Sequence, residues 1–261
     1  MAGQGVGHPG YGARNERQPG GPTPWPARDT RVTLPADLAA TVTGPALAAY
    51  ATDPGDLILA ATALALAHGH TAVTIEAETH GRHDLPGDLD PSRTVGWFTS
   101  THPVVVATTD PAAAVISAKE GRRRPPGGPL AYGLAARDPE SGVPLVTPSV
   151  AVNYLGVLDT IAAETGFHPS ARPTGPAVSP ANRLPQAIVI NASVARGELH
   201  LDVQTDPTIN VTTLIAQIED ALAQVAAHCL AQTAPTPTAS DYQSPTLAQS
   251  ELSDIAALLD L

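Results

Sequence analysis

The sequence predicts a mixed α/β fold, in which helices pack on a β-sheet, because helical and alternating hydrophobic patterns both occur along the chain. A helix is predicted over residues 54–68, since Asp53 followed by Pro54 is typical of a helix start and Gly69 follows the apolar run as a stop. A strand is predicted over residues 72–79, where apolar and polar residues alternate. Its two glutamates therefore share one face of the strand.

The remaining elements are predicted from the same helical and alternating patterns and from the residues that begin and end each element. They are a helix that Asp110-Pro111 begins and Gly121 ends, a strand over 146–155, a β-hairpin of strands 186–194 and 198–205 joined by Ala195-Arg196-Gly197, a helix over 211–232 capped by Asn210, and a short amphipathic helix over 250–261 with Ser250 as its N-cap. The long helix carries one apolar stripe, formed by Leu214, Ile218, Leu222 and Val225.

The composition divides the chain into three parts. Residues 1–28 are rich in Gly and Pro and show neither a helical nor an alternating hydrophobic pattern, so we expect a disordered leader. Residues 29–232 form the body that contains the predicted strands and the longer helices. Residues 233–261 are expected to be a Pro/Thr/Ser-rich linker that ends in the terminal amphipathic helix.

Charge and cysteine content argue against several classes of partner and site. The formal net charge is −11, with 14 Lys and Arg against 25 Asp and Glu, whereas nucleic acids and anionic membranes require clustered cations. The single cysteine excludes an intrachain disulfide and a cysteine-built zinc site, and it fits a reducing compartment. The sequence has neither a spanning apolar run nor an export signal at its start. We therefore expect a cytoplasmic protein with no nucleic-acid or membrane partner.

The aromatic residues, nine in all, are unevenly placed. Four of them lie between positions 97 and 154, namely Trp97, Phe98, Tyr132 and Tyr154. A chain with so few aromatics is expected to place them where shape matters, either in the best-packed core or in the lining of a site. Both interpretations stay open. Their position favours a site, because residues 78–82 end a predicted strand and residues 93–99 follow a polar loop, where acids and bases commonly lie.

Four strings in this part of the chain resemble, in order, the signature motifs of one family. They are GHTAVTIEAETHGRHD, SRTVGWFTSTHPVVV, KEGRRRPPGGPLAYGL and VAVNYLG, which are similar to motifs of the epimerization domains of nonribosomal peptide synthetases. Those domains belong to the condensation-domain superfamily, whose fold resembles chloramphenicol acetyltransferase. The strings DLILAA before them and INASVARGELHL, His228-Cys229 and the tail after them extend the resemblance over residues 30–261. The resemblance implies one lobe of that fold.

The sequence departs from the family pattern in one respect. Family members carry a His-His-x-x-x-Asp-Gly motif in their N-terminal half, and its second histidine is the acid/base of the reaction. This sequence contains no His-His pair. The chain therefore resembles the C-terminal half alone, which implies a stand-alone half-domain that is inactive by itself and works with an N-terminal lobe from another chain.

The resemblance implies L-to-D epimerization of an aminoacyl or peptidyl thioester held on the phosphopantetheine arm of a carrier protein, with no tightly bound cofactor. Inversion at Cα requires proton removal on one face and proton return on the other, and therefore two positioned acid/base groups. Glu78, at the position of the family's glutamate, is expected to be one of them. Gly81 is expected to allow close backbone approach and Arg82 to hold the loop by hydrogen bonds. The residues expected to line the channel or support its loops are His80, Gly81, Arg82, Arg93, Trp97, Phe98, Tyr132, Asn153 and Tyr154.

Structural interpretations stand beside these roles. Glu78 also fits a solvated residue of the strand face that pairs with Arg82. Arg93 fits a member of a structural ion pair as well as a substrate ligand. The three arginines of Arg122–Arg124 fit contact with an acidic carrier protein, and equally they fit complementation of the helix dipole.

Two other functions stay open. One is a noncatalytic module that binds a carrier protein or a synthetase through the terminal helix and loops, and the other is the remnant of a broken synthetase gene. The exposed face of a single lobe also predicts pairing with a second chain or a homo-oligomer, since large apolar patches mark interfaces. A metal site of His80, His83, Glu78 and Asp84 is not expected, because their spacing matches no strong metal-binding motif.

Overall fold

The computed structural model describes residues 28–82, 90–125, 130–143, 148–159, 186–242 and 248–258, together with residues 128 and 146. Its strands are β1 (Arg28–Thr33), β2 (Ala72–Thr79), β3 (Ser100–Ala107), β4 (Val150–Val157), β5 (Ile188–Ala195) and β6 (Glu198–Thr205). They form one six-stranded sheet of order β1-β6-β5-β4-β2-β3. β4 runs parallel to β2 and β5, and the other neighbours are antiparallel. The predicted mixed α/β fold class is confirmed.

The helices of the described residues are α1 (Ala36–Val42), α2 (Pro54–Ala65), α3 (Pro111–Arg123), α4 (Ala131–Ala135), α5 (Val211–Leu230) and α6 (Gln249–Leu258), with 3-10 helices at Pro45–Ala49 and Ala239–Asp241. Four of them, α1 to α4, contact the sheet, and α5 packs on α2. α2 lies between α3 and α5 and also contacts β2, β3 and β4. Every residue from Gly55 to Ala63 is buried, so α2 is the centre of the core rather than a surface helix.

Strand β2 has the predicted bounds and the predicted alternation. Val73, Ile75 and Ala77 are buried against the helices, while Glu76 and Glu78 are only partly buried on the other face. The antiparallel register with β3 continues over the whole strand, from Ala72 to Thr79. This pattern is the one that a period of two residues predicts for a half-buried strand.

The predicted starts of α2, α3 and α5 are confirmed, but each of these three helices ends at another residue than predicted. Asp53 caps α2 through a reciprocal capping box with Asp56, as expected of an acidic N-cap, and the helix ends at Ala65 instead of residue 68. The prediction that Gly121 ends α3 is wrong, since the helix continues to Arg123. A Cβ at Gly121 would lie 2.5 Å from Val104 Cγ1. Glycine therefore serves close packing of α3 on β3 at this position and not termination of the helix.

The β5–β6 hairpin is confirmed with a shorter turn than predicted. Ala195 pairs with Glu198, so the turn consists of Arg196 and Gly197 alone, with φ values of +55° and +75°. Two positive φ values match the twist that a two-residue hairpin turn needs. In α5, Asn210 caps the helix by accepting from the Thr213 amide over 3.2 Å. The four residues of its predicted apolar stripe are buried, and the helix ends at Leu230, before the predicted residue 232.

The C-terminal part differs from the prediction in two ways. Ser250 is not an N-cap, because α6 begins at Gln249 and the Ala248 amide donates to the Glu251 carboxylate over 2.8 Å. Part of the expected linker packs on the body, since the Thr236 amide donates to the Ala49 carbonyl over 2.7 Å and Thr238 is fully buried. This part of the expected linker also contacts the start of α6, since the Ala239 amide donates to Gln249 Oε1 over 2.8 Å.

Two further sequence predictions concern a disordered leader and the absence of a membrane-spanning segment. The predicted leader lies outside the described residues, apart from Arg28, which begins β1. Among the helices that the structure describes, none has the length and apolar character that a membrane crossing requires.

Candidate functional site

A cleft of about 670 Å³ lies where β2 and β4 end beside the start of α2. The residues that line it come from both strands, from the loop before β3 and from the adjoining ends of two helices. They are Asp53, Glu78, Thr79, His80, Thr99, Arg122, Arg123, Asn153, Tyr154 and Leu155. The cleft therefore brings together four of the residues predicted for a site, namely Glu78, His80, Asn153 and Tyr154.

The strand register places Glu78 beside Asn153. β2 and β4 are parallel neighbours, and Ala77 pairs with Val152, so the next residues of the two strands lie side by side at the same edge. The Asn153 Nδ2 atom donates a hydrogen bond to Glu78 Oε2 over 3.2 Å. This amide fixes the orientation of the carboxylate at the mouth of the cleft.

The Glu78 carboxyl group is partly buried at the end of β2. Burial raises the pKa of Glu78 above its ordinary value. The neighbouring Glu76 is held by Gln186, whose Nε2 donates to Glu76 Oε1 over 2.7 Å, and burial followed by the charge of Glu78 raises its pKa as well. A carboxyl group with a raised pKa accepts and returns protons more readily near neutral pH than an ordinary one does.

Arg82 does not serve as the partner of Glu78 that one interpretation of the sequence supposed. Its guanidinium donates to the carbonyl oxygens of Pro91 and Gly96, over 2.5 and 3.3 Å, and lies 4.3 Å from the centre of the Phe98 ring. These contacts join the two ends of the polar loop by hydrogen bonds and a cation–π contact. Arg82 thus holds the loop, and Glu78 is held by Asn153.

Gly81 lets the end of β2 approach the segment before β3. Its φ is +64°, and a Cβ at this position would lie 1.5 Å from the carbonyl oxygen of Phe98. No other residue type fits there without a backbone movement. The close backbone approach expected of Gly81 is present, and it brings Thr99 into the same cleft as His80.

Three consecutive residues of β4 line the cleft, although a regular strand would turn the middle one to the opposite face. The pairing with β5 shifts between Tyr154 and Val157, and Gly156 has a φ of +80°. Such an irregularity re-aims side chains at a strand end. Tyr154 reaches the start of α2, where a Cβ at Gly55 would lie 3.0 Å from its own Cβ. Burial, and then the negative charge of Asp53, raises the pKa of Tyr154.

The opposite wall of the cleft is an ion-pair network that the sequence interpretation does not predict. The Arg122 guanidinium binds Asp53 over 2.8 Å and also contacts Asp56, while Arg123 Nη2 lies 3.3 Å from Asp56 Oδ2. The Asp56 side chain is fully buried, and burial raises its pKa while the Arg122 charge opposes that shift. For Asp53 the sequence predicts only the role of a helix cap. Arg122 and Arg123 bind carboxylates of the same chain in the last turn of α3.

The other predicted residues lie outside the lining of the cleft. The Tyr132 hydroxyl donates to the Val146 carbonyl over 2.9 Å and accepts from the Val146 amide over 2.7 Å, so it braces the segment before β4. Arg93 is exposed, and Trp97 is 90% exposed. Phe98 is partly buried beneath Arg82. The core interpretation is therefore wrong for Trp97.

Only two of the four residues considered for a metal site, Glu78 and His80, belong to the described part of the chain. His83 and Asp84 lie outside the described residues. Within the ranges that the structure does describe, no three His, Cys, Asp or Glu side chains are grouped so that they could hold a metal ion. The ionisable groups that line the described cleft are two carboxyl groups, an imidazole, two guanidinium groups and a phenol.

Comparison with known proteins identifies the family to which these features are similar. The family model described as "Condensation domain" matches residues 18–247. Among curated proteins, tyrocidine synthase 2 of Brevibacillus parabrevis is 32% identical over 221 residues, which are 79% of this chain and 6% of that protein. Chondramide synthase of Chondromyces crocatus is 33% identical over 217 residues, 78% of this chain and 6% of that protein.

Two solved structures show the same fold. The epimerization domain from the third module of tyrocidine synthetase B matches with a TM-score of 0.67 and 28% identity, over 79% of this chain and 49% of that chain. The PapA2 acyl transferase matches with a TM-score of 0.54 and 16% identity, over 77% of this chain and 45% of that chain, which is a likeness of fold alone. This chain thus spans about half of each solved structure and less than a tenth of the synthases above.

Proposed function

This chain belongs to the condensation-domain family, and from that premise we propose that it contributes the glutamate-bearing half of an epimerization site. The substrate is an aminoacyl or peptidyl thioester on the phosphopantetheine arm of a carrier protein. The observation that carries the proposal is the Glu78–Asn153 pair at the mouth of the cleft. The 28% identity to an epimerization domain, and the motif strings around these two residues, support the choice of reaction.

In the proposed reaction, the Glu78 carboxylate takes or returns the α-proton on one face of the substrate. A second acid/base group acts on the other face, so that one proton leaves the carbon and another arrives with inversion. We assign that second group to the histidine of a His-His-x-x-x-Asp-Gly motif on an N-terminal lobe supplied by another chain. The phosphopantetheine arm delivers the thioester and takes no part in the proton transfer.

Exposed apolar side chains beside the cleft support a partner lobe. Val95 is 100% exposed and Trp97 90% exposed, and Leu155 and Val157 at the end of β4 are 50% and 47% exposed. Apolar side chains in such positions are typical of surfaces that another protein covers. A homo-oligomer is a second way to cover them. The net charge of −11 and the single cysteine agree with a cytoplasmic location for this assembly.

The test is α-proton exchange into solvent from an L-aminoacyl thioester of a carrier protein, measured in D₂O with an N-terminal lobe that carries the motif. Glu78→Gln keeps the size of the side chain and removes its basicity, and we expect the exchange rate to fall by about 10²–10⁴. Glu76→Gln, the same substitution on the same face of β2, is the matched control and should retain exchange. No exchange with the partner lobe present, or exchange that survives Glu78→Gln, would contradict the proposal.

A second candidate is a noncatalytic module that binds a carrier protein or a synthetase. It is favoured by the exposed apolar end of α6, where Leu258 is 84% exposed. This function predicts binding without turnover, and it predicts that deletion of residues 246–261 abolishes binding in a titration followed by calorimetry. Binding that persists after the deletion would contradict it.

A further inference from the structure

Lys119, the single lysine of the sequence, is fully buried at the end of the helical layer. Its Nζ atom donates to the Tyr50 carbonyl over 2.5 Å and to Asp241 Oδ2 over 2.6 Å. A buried ammonium group is retained only where it is paired and hydrogen-bonded, because its hydration is lost. Asp241, which lies 122 residues further along the chain, is the carboxylate that meets this requirement.

Residues 238–242, which we name the latch, are bonded along their length to α3. Asp241 Oδ2 accepts from the Thr238 amide over 2.8 Å and so shapes the 3-10 helix from within. The Ser240 amide donates to Glu120 Oε1 over 3.1 Å. Arg124 Nη2 donates to the Tyr242 carbonyl over 2.8 Å. The latch is therefore held by Lys119 and Glu120 of α3 and by Arg124, which follows the helix.

The same contacts continue from the latch to the cleft. Asp241 Oδ1 lies 3.6 Å from Arg123 Nη1, and Arg123 Nη2 lies 3.3 Å from Asp56 Oδ2. Asp56 in turn binds Arg122 and accepts from the Asp53 amide over 3.0 Å. Arg122, Arg123 and Asp53 line the cleft, so an unbroken series of ion pairs joins the latch to the cleft wall.

The charges in this series balance only when the latch is in place. Lys119, Arg122 and Arg123 stand against Asp53, Asp56 and Asp241. Loss of Asp241 leaves one cation in excess, and Arg123 loses the carboxylate that holds it on the side away from the cleft. Arg123 then keeps only its contacts through Nη2, to the Ala51 carbonyl over 2.9 Å and to Asp56 Oδ2 over 3.3 Å.

We propose that residues 238–242 act as a latch that positions Arg122 and Arg123 in the lining of the cleft, so that release of the latch loosens Asp53, Asp56 and Arg122. Lys119 and Asp241 are positioning residues in this arrangement, since neither lines the cleft. The coupling is a property of the fold and holds whichever reaction the cleft supports.

The test is amide hydrogen exchange followed by NMR on the full chain. The Asp53 and Asp56 amides are direct reporters, because each donates to the other residue's carboxylate. In Asp241→Asn, we expect their exchange to accelerate at least about tenfold more than that of the Ile75 amide in the middle of β2, as local opening requires. Asp202→Asn, which removes an exposed partner of Arg31, is the matched control and should leave the ratio unchanged.

A second variant separates coupling from a general loss of stability. Arg123→Gln breaks the series between the latch and Asp56, so it should loosen the same two amides, and Asp241→Asn added to it should have little further effect on them. Where Asp241→Asn does not fold, Lys119→Met/Asp241→Asn replaces it, since both members of the buried pair are then removed together. The proposal would be overturned if amide exchange accelerated equally at Ile75, or if it stayed unchanged at Asp53 and Asp56. It would also be overturned if the effects of Arg123→Gln and Asp241→Asn added in the double variant. None of these readouts depends on epimerization.

Discussion

The two walls of the cleft are built in different ways. The strand wall carries Glu78 and Asn153, whose neighbouring positions follow from the backbone pairing of β2 with β4. The helix wall carries Arg122 of α3, which is bound from behind by the buried Asp56 of α2, a residue 66 positions away in sequence. Substitutions in the strand wall should therefore change chemistry more than folding, and substitutions in the helix wall should do the reverse.

The largest loss of stability is expected when the helix wall loses the buried carboxylate of Asp56. Asp56→Ala removes the shared partner of Arg122 and Arg123 together with one side of the capping box, and we expect it to lower the free energy of unfolding by about 3–5 kcal/mol. Urea denaturation measures this value. Asp110→Ala is the control, because exposed Asp110 caps α3 by accepting from the Ala113 amide over 2.9 Å and so reports the loss of a helix cap alone.

The control is expected to cost about 1 kcal/mol, as the loss of an N-cap alone does. Equal costs for Asp56→Ala and Asp110→Ala would show that the ion pairs of the helix wall contribute nothing beyond capping. That result would remove the contrast between the two walls.

A smaller loss of stability is expected at Gly81, where the end of β2 approaches the segment before β3. Gly81→Ala combines a positive φ with a Cβ that would overlap the Phe98 carbonyl, and we expect a cost of about 2–4 kcal/mol by chemical denaturation. Gly69→Ala has a φ of +86° but open space around the new Cβ, so it should cost only about 1–2 kcal/mol. Equal costs at the two glycines would mean that the close approach is relieved by a loop movement.

Local patterns in the sequence predict that Glu78 and Asn153 lie on strands, but the pairing of β2 with β4 that joins them is not predicted. Alternation places Glu78 on the polar face of β2, and the string VAVNYLG places Asn153 on the next strand. The ion pairs of the helix wall cannot be predicted from local sequence patterns, because the pairing of Arg122 with Asp56 depends on how α2 and α3 pack. The charges are visible in the sequence, and acid residues at a helix start together with arginines at a helix end are the signal that could prompt a search for pairs.

Two strands escape prediction for related reasons. β1 is an edge strand that is held by pairing with β6, and its own sequence, RDTRVT, has little hydrophobic alternation. β3 lies within a motif string but is not predicted as a strand, since Pro103 within it argues against a ladder position. β3 is the other edge of the sheet, where proline is tolerated. These elements depend on sheet order, which local periodicity does not contain.

The pH dependence of stability should separate the chemistry of the strand wall from its folding. The folded-state pKa of Glu78 is raised, so ionisation opposes folding, and this cost is absent below the unfolded pKa and grows as pH rises through the folded pKa. Glu78→Gln lacks the cost. Its free energy of unfolding, measured by denaturation between pH 4 and pH 7, should therefore increase relative to that of the unsubstituted chain as pH rises. A relative decrease over that range would show that Glu78 is stabilised as the anion.

The smallest effect is expected at Trp97, which lies beside the cleft but contributes to neither wall. Because its side chain is 90% exposed, Trp97→Ala should change the free energy of unfolding by less than about 0.5 kcal/mol, whereas Ile75→Val in the core should cost about 0.5–1.5 kcal/mol. Denaturation of the two variants measures the difference. If Trp97 belongs to a surface that a partner lobe covers, Trp97→Ala will weaken pairing with that lobe while the chain alone stays as stable as before. A loss of stability in the isolated chain as large as that of Ile75→Val would place Trp97 in the packed structure of this chain instead, and the exposed loop would then no longer support a second lobe.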